Sequence, residues 1–322
     1  MEPKSLQEAI LYFASPVNCR EYLVARRWPE GIICPRCGSK NVLFLEKYNR
    51  WECREKHDAR QFTLKTGTIF EDSPIGLDKW LTAMWMAVNC KNGVSSWEIH
   101  RALKVTQKSA WFMLGRIRLA LKIEADEKFG GPDGGPVEVD ETFIGAQKRF
   151  MHAAKKRRFS KTAKVDNKVA VMGFLDRELR QVRTKIIPNI RRENLQNEIL
   201  NHVEHGSRVF TDSANAYDHI MRERFVHEVV NKAESYVRGQ VHVNGIENFW
   251  SCLKRTLKGT YIAVEPFHLD RYIDEQIFRY NNRATKDNPL DDSDRFDLAV
   301  RQIVGKRLTY DELTGKTSAT CF

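Results

Sequence analysis

The run Gly-Gly-Pro-Asp-Gly-Gly at 130–135 constrains this chain more than any other feature. Glycine loses the most backbone freedom inside a helix or strand, and proline removes a backbone donor, so neither regular element runs through it. The hydrophobic pattern also changes across it. Before it, LDKWLTAMWMAVNCKNG and VSSWEIHRALKVTQKSAWFMLGRIRLALKIEAD carry apolar residues at helical spacing, with Gly93 as a stop. After it, PVEVDETFIG, KVAVMGFLD and QVRTKIIP carry β-branched and apolar residues at strand spacing. ENLQNEILNHVEH then reads as a helix and RVFTDS as a short buried strand. HVNGIENFWSCLKRTLKG and VEPFHLDRYIDEQIFRYNNR return to the helical period. The pattern predicts a multidomain α/β chain: an N-terminal segment over 1–75, a helical segment over 76–129, a linker at 130–136, a mixed sheet flanked by helices over 137–290, and an extension over 291–322.

With 322 residues and roughly 150 per domain, there is length for two or three compact units with a substantial core. Hydrophobic residues at 42% and charged residues at 30% exclude disorder throughout. The 53 basic and 42 acidic residues leave a net charge of +11, which favours a polyanionic partner without naming one. Seven cysteines with one close pair do not make a disulfide framework. No stretch has the length and apolarity of a membrane-spanning helix, and MEPKSLQEAILYFASP lacks the basic leader and apolar core of a secretory signal. The expectation is a cytoplasmic protein, associated with DNA or the nucleoid and with no membrane partner.

The close pair carries the clearest local chemistry. Cys34 and Cys37 form a C-P-R-C knuckle, Cys53 follows sixteen residues later, and His57 stands four beyond it. Two thiolates separated by two residues turn toward one tetrahedral ion. A four-cysteine ribbon would repeat that gap, whereas this chain offers C-x-x-x-H; imidazole is a good zinc ligand, so His57 is the expected fourth. A segment this short has little core, so structural zinc would supply folding energy there. The plain alternative is a pair of buried thiols and a surface histidine. Cys19 and Cys90 read as core, and Cys252 and Cys321 have no metal spacing.

Residues 94–121 predict a helix pair, with Thr106 as cap of the second. The pair would bury Trp97, Ile99, Leu103, Trp111, Leu114 and Ile117 and leave Lys108, Arg116 and Arg118 for phosphates, in the manner of a helix-turn-helix. A plain helical connector gives the same periodicity.

Three separated acidic residues suggest a metal site. Asp140 lies in an apolar strand, Asp212 ends VFTD, and Glu247 begins a helix on which Lys254, nearly two turns on, shares its face. Asn244 lies one turn before Glu247, while Glu265 and Glu275 compete with it. Carboxylates converging from two strands and a helix repel one another without cations. A pair of magnesium ions, or manganese in their place, relieves that repulsion and suits phosphoryl transfer.

Taken in order, CPRCG, QFTLKTGTIFEDSPIGLDKW, VEVDETFIG, VFTDSANAY and HVNGIENFWSCLKR followed by FRYNNR resemble the DDE-type transposases of bacterial insertion sequences, in the group with an N-terminal zinc ribbon. The resemblance spans nearly the whole chain. It implies a ribonuclease-H-like catalytic domain over 137–290 and magnesium-dependent cleavage and joining at element ends. Its first two aspartates match Asp140 and Asp212, its third acidic position Glu247, and its basic signature Lys254. Relatives with a different third residue keep Asn244 in consideration.

The segment 147–168 holds nine Lys or Arg residues and one acidic residue. Lys148, Arg149, Lys155, Lys156, Arg157, Arg158, Lys161 and Lys164 are expected to meet DNA phosphates, with Arg255 and Lys258 extending the track. The expected partners are double-stranded DNA (terminal repeats and target) and at least one more copy of the chain, since two element ends must meet. A non-catalytic zinc-ribbon DNA-binding regulator, or a metal-dependent nuclease without joining activity, are the alternatives.

Overall fold

The structure, a computed structural model, describes residues 2–123, 127–145, 168–212, 217, 224–230, 240–286 and 288–316. The chain divides into two compact units, Met1–Lys122 with Asn282–Phe322, and Ile123–Asn281.

In the first unit, helix α1 (Leu6–Phe13) starts at Ser5, whose hydroxyl accepts from the Glu8 N–H. Helix α2 (Pro16–Arg27) starts at Ser15, with Pro16 where a missing N–H costs nothing. Strands β1 (Val42–Leu45), β2 (Arg50–Cys53) and β3 (Gln61–Phe62) form a small antiparallel sheet in that order. Its face is sealed by aromatic rings, with Trp51 5.6 Å from Trp28 and 6.0 Å from Phe62 between centroids. Helix α3 (Leu77–Asn89) buries Trp80 and Trp85.

Helices α4 (Ser96–Leu103) and α5 (Gln107–Leu121) are the predicted pair, joined through Lys104 in the left-handed conformation and capped by Ser95 and Thr106. Two expectations about them are corrected. Trp97 is 59% exposed rather than buried. Arg116 and Arg118 are 6% and 3% exposed, so neither side chain is presented to phosphates. The Arg116 guanidinium donates to the carbonyls of Ile69, Glu71 and Leu308 and lies over the Phe112 ring. From Ala110 to Leu121, α5 is buried on nearly every side, which makes it a core helix; exposed Lys108 lies in its first turn.

The residues past 282 complete this unit. Near the C-terminus, the helix Asp292–Arg301 opens with a reciprocal Asp291–Asp294 capping box. Its Phe296 is fully buried, with ring centroids 5.6 Å from Phe13 and Tyr22 and 5.0 Å from Trp85. The segment that the sequence set apart as an extension thus supplies part of the first unit's core.

The second unit is an α/β layer structure. Strands β4 (Val137–Ile144), β5 (Val169–Asp176) and β6 (Gln181–Ile187) form an antiparallel meander. After helix α6 (Arg192–His202), strands β7 (Arg208–Asp212) and β8 (Val226–Val230) add in parallel, giving the order β6-β5-β4-β7-β8. Alternation along β4 sends Val137 and Val139 into one core with Leu195 and Ile199 of α6. The opposite face packs under helices α7 (Asn244–Thr256) and α8 (Leu269–Asn281), which contribute Ile246, Phe249, Leu253 and Ile273 to a second core. A five-stranded mixed sheet with helices on both faces is the ribonuclease-H-like arrangement. The glycine-rich run at its start is a docked turn: Gly130 and Gly131 have φ of 79° and 123°, and their N–H groups donate to Asp176 and Ser207.

Gly173 faces Asp140 across the β4–β5 ladder, and a Cβ there would come within 2.5 Å of the Trp250 ring. Glycine lets the indole of α7 lie on the sheet. Gly173→Ala should therefore destabilise the protein by about 1–3 kcal/mol, the cost of overpacking a core. Urea unfolding followed by circular dichroism checks this, and an unchanged midpoint would mean the indole has room to move.

Candidate metal centres

The small sheet holds one side-chain cluster. The ligand atoms of Cys34, Cys37, Cys53 and His57 all lie within 4.8 Å of one another. Cys34 Sγ is 3.5 Å from His57 Nε2, and Cys37 Sγ is 3.6 Å from Cys53 Sγ. A tetrahedral zinc with bonds of about 2.0–2.3 Å has edges of about 3.5–3.8 Å, so these separations suit the ion. His57 Nδ1 lies 2.8 Å from the Asp58 carbonyl; its N–H donates there, which leaves Nε2 with the lone pair that faces the sulfurs. Burial raises the Cys34 thiol, but the N–H groups of Arg36 and Cys37 and the neighbouring thiols outweigh it and hold the pKa at about 7.

The acidic residues sit in the second unit. β4 and β7 are parallel neighbours with Val137 opposite Val209 and Glu138 opposite Phe210. Carried on by two residues, that register sets Asp140 level with Asp212 at the end of β7. Both fall on the face that Glu138 and Phe210 share, toward α7. Tyr217 senses both: burial first, then Glu141, Asp140 and Asp212, push its phenol well above the ordinary pKa.

Helix α7 is fixed over this face by two contacts. The buried indole Nε1 of Trp250 donates to Asp140 Oδ2 at 3.0 Å. Glu247 stands three residues before Trp250 and Lys254 four after, so all three occupy one side of the helix. Burial lowers the Lys254 ammonium pKa, Asp140 opposes the shift, and Lys258 and Lys168 reinforce it.

The second contact involves a carboxylate outside the acidic set read from sequence. Glu138 is 1% exposed, accepts from the Ile246 N–H at 2.9 Å, and pairs with Arg177 at 2.6 Å. α7 has no side-chain cap of its own, so this strand residue supplies the acceptor and the negative charge for its N-terminus. Arg177 also donates to the carbonyls of Gln240 and His242, which ties the approach to the helix. The two-residue spacing Glu138–Asp140 was the available signal: it puts both carboxylates on one face of β4.

The acidic residues are not gathered as tightly as the thiols. Among the described residues, the Cys–His set is the one group of three or more His, Cys, Asp or Glu side chains placed to hold a metal ion, and Asp140, Asp212 and Glu247 do not form a second. Asn244 is exposed at the start of α7, and Arg255 and Lys258 are exposed further along. Glu275 is committed elsewhere, to the Tyr261 hydroxyl and to Arg279, and Glu265 is exposed. Lys148, Arg149, Lys155, Lys156, Arg157, Arg158, Lys161 and Lys164 lie outside the described residues.

These features define a zinc-ribbon protein with a ribonuclease-H-like core. Residues 133–281 match the ISXO2-like transposase domain and residues 15–56 match the transposase zinc-ribbon domain. An uncharacterized protein in transposable element ISH50 of Halobacterium salinarum is 25% identical over 256 residues, spanning 76% of this chain and 84% of that protein. An uncharacterized transposase-like protein of Haemophilus influenzae is 30% identical over 106 residues, spanning 33% of this chain and 85% of that protein. A simian T-cell lymphotropic virus intasome in complex with PP2A regulatory subunit B56 gamma matches 59% of this chain and 66% of its own at 10% identity; its TM-score of 0.28 carries no weight for the fold. The chain belongs to the ISXO2-like transposase family. Among the described residues, no helix is long and apolar enough to cross a membrane.

Two outcomes follow from this geometry. Purified protein should hold one zinc per chain, and Cys37→Ser should lose it; protons compete with the metal for the thiolates, so retention should fall as the solution is acidified. Metal analysis after dialysis at stepped pH reads this. Glu138→Gln should speed hydrogen exchange at the Ile246 amide by about tenfold or more, the worth of a hydrogen bond to a charged group. Exchange unchanged at Ile246 would remove Glu138 as the anchor of α7.

Proposed function

We propose that this chain binds the terminal repeats of an insertion sequence, cleaves DNA there, and joins the freed 3′-OH to target DNA. The observation that supports the reading is the parallel register of β4 and β7, Val137 opposite Val209 and Glu138 opposite Phe210, which carried on by two residues sets Asp140 level with Asp212, while Trp250 ties α7 to Asp140.

In this reading Asp140 and Asp212 offer oxygen ligands from adjacent strands and Glu247 offers a third from α7, a donor set suited to magnesium or manganese. Two such ions would supply Lewis acidity on either side of the scissile phosphate, and a two-ion centre spans about 3.5–4 Å, so its ligands need not crowd together. The Trp250 N–H fixes the Asp140 carboxylate while the other side chains approach. Lys254 and Arg255 on that helix, and Lys258 in the turn after it, contact phosphates. In the first step water attacks phosphorus and the 3′-oxygen leaves, taking up a proton. In the second that 3′-OH gives up its proton, attacks a target phosphodiester and displaces a target 3′-oxygen. No ATP is required, because the first step is a hydrolysis and the second exchanges one phosphodiester oxygen for another, the displaced target oxygen taking up a proton.

The zinc ribbon and exposed Lys108 of the first unit contact element ends, and the basic residues at 148–164 neutralise DNA phosphates. Asn244, one turn before Glu247, is the alternative third position. Two or more copies bring two ends together on DNA in the cytoplasm or nucleoid.

Donor duplexes bearing the element's ends, incubated with magnesium and a target plasmid, test the proposal. Cleavage and joined products are expected. Asp140→Asn and Asp212→Asn should each lower cleavage by at least about a thousandfold, since loss of a metal-held charge costs several kcal/mol in the transition state. Full activity in both variants would end the assignment. Binding without cleavage would indicate a regulator, and cleavage without joining a nuclease.

A further inference from the structure

Beside Lys254, a cavity of about 280 Å³ opens between the end of β4 and the C-terminal end of α7. Its apolar floor includes Phe143, Ile144, Leu257 and Val264, and Lys168, Lys254 and Lys258 stand around it. Small-molecule sites start at about 300 Å³, which is the scale of one nucleotide and too small for a duplex. Apolar walls with several cations suit a ligand that has a flat uncharged part and an anionic part.

The rim of this cavity holds a strained residue. After α7 the backbone widens into a single π-helical turn over Leu257–Tyr261. The next residue, Ile262, has φ 61° and ψ −59°, and the Ala263 N–H donates to the Tyr261 carbonyl at 2.6 Å. That is a γ-turn with positive φ at its centre, a rare conformation that disfavours a β-branched residue. Tyr261 is locked in place by its hydroxyl bond to Glu275 and by edge contact with Tyr272, 4.7 Å between centroids. The surroundings thus enforce the turn, and Ile262 is left 80% exposed. Glycine would fit this backbone better and nothing buries the side chain, so packing does not explain an isoleucine here. Strain held this way at a cavity mouth is a mark of function.

We propose that this cavity holds one nucleotide of the bound DNA, turned out of its base stack beside the cleaved phosphate, with Lys168, Lys254 and Lys258 at its phosphates and Ile262 wedged into the gap left behind. The inference rests on the DNA-cleaving function proposed above and adds how the end is opened. An extruded base places its face on the apolar floor, and the backbone then passes the lysines on its way to Asp140. The wedge opposes restacking.

The test uses the full-length protein and terminal-sequence duplexes carrying 2-aminopurine at each of the last nucleotides in turn, with calcium replacing magnesium. Binding should brighten one position about threefold or more as that base leaves the stack. Ile262→Gly should abolish the brightening without lowering the melting temperature, because glycine relieves the turn. In magnesium, Ile262→Gly should cleave about tenfold more slowly, and an abasic nucleotide at the bright position should restore the rate, since no stacked base is left to remove. Lys168→Gln should weaken binding and lower the slope of log affinity against log salt by about one. The proposal is overturned if no position brightens on a bound duplex, if Ile262→Gly brightens like the wild type, or if the abasic substrate fails to rescue it. Brightening without any cleavage by the wild type would sink the cleavage reading and leave the cavity as a base-binding site; failure to bind the duplex would sink both.

Discussion

A carboxylate buried to the extent of Glu138 is tolerable only if its charge is matched, and the match organises the α/β unit. Arg177 supplies the counter-charge and the N-terminus of α7 supplies an N–H donor and the positive end of its dipole. Because Glu138 and Asp140 share a face of β4, the residue that anchors the helix and the proposed metal ligand belong to one rigid strand. The helix is then pinned again, one turn further on, by the Trp250–Asp140 hydrogen bond. Glu247 lies between these two attachments. Its position is therefore set by β4 rather than by the loop that precedes it.

The other strand-borne position, Asp212, depends on a different constraint. Parallel pairing of β4 and β7 needs a crossover, which α6 provides. Val137, Val139 and Val209 bury one side of these two strands against α6, and a slip of one residue would turn the aspartate of the slipped strand into that core. The apolar alternation of VEVD and RVFTD thus protects the pairing of Asp140 with Asp212. The zinc ribbon solves the complementary problem of a short segment: with a sheet whose last strand is two residues long, four ligands substitute for core.

Periodicity and spacing made much of this legible. The strands at 137–144, 169–176, 181–187 and 208–212 fall where β-branched residues predicted them, and the thiols and His57 meet as C-x-x-C and C-x-x-x-H spacing suggested. What was not legible was long-range. Helical period alone could not tell that residues past 300 would cover α5 and take up Arg116 through the Leu308 carbonyl. Glu138 reads as an ordinary strand residue until a helix 108 positions away is laid on it. Strand β8 was missed because His227 and Glu228 break its apolar run, which suits the end of a sheet better than its middle. Ile262 carried no signal, since a strained backbone leaves no mark on composition.

Because Phe296 lies between Phe13, Tyr22 and Trp85, the first unit is built from both ends of the chain with the α/β unit inserted between them. During synthesis, residues 1–122 must wait for some 170 further residues to leave the ribosome before their core can close. A chain cut short before Phe296 would leave the rings of Phe13, Tyr22 and Trp85 around an unfilled space.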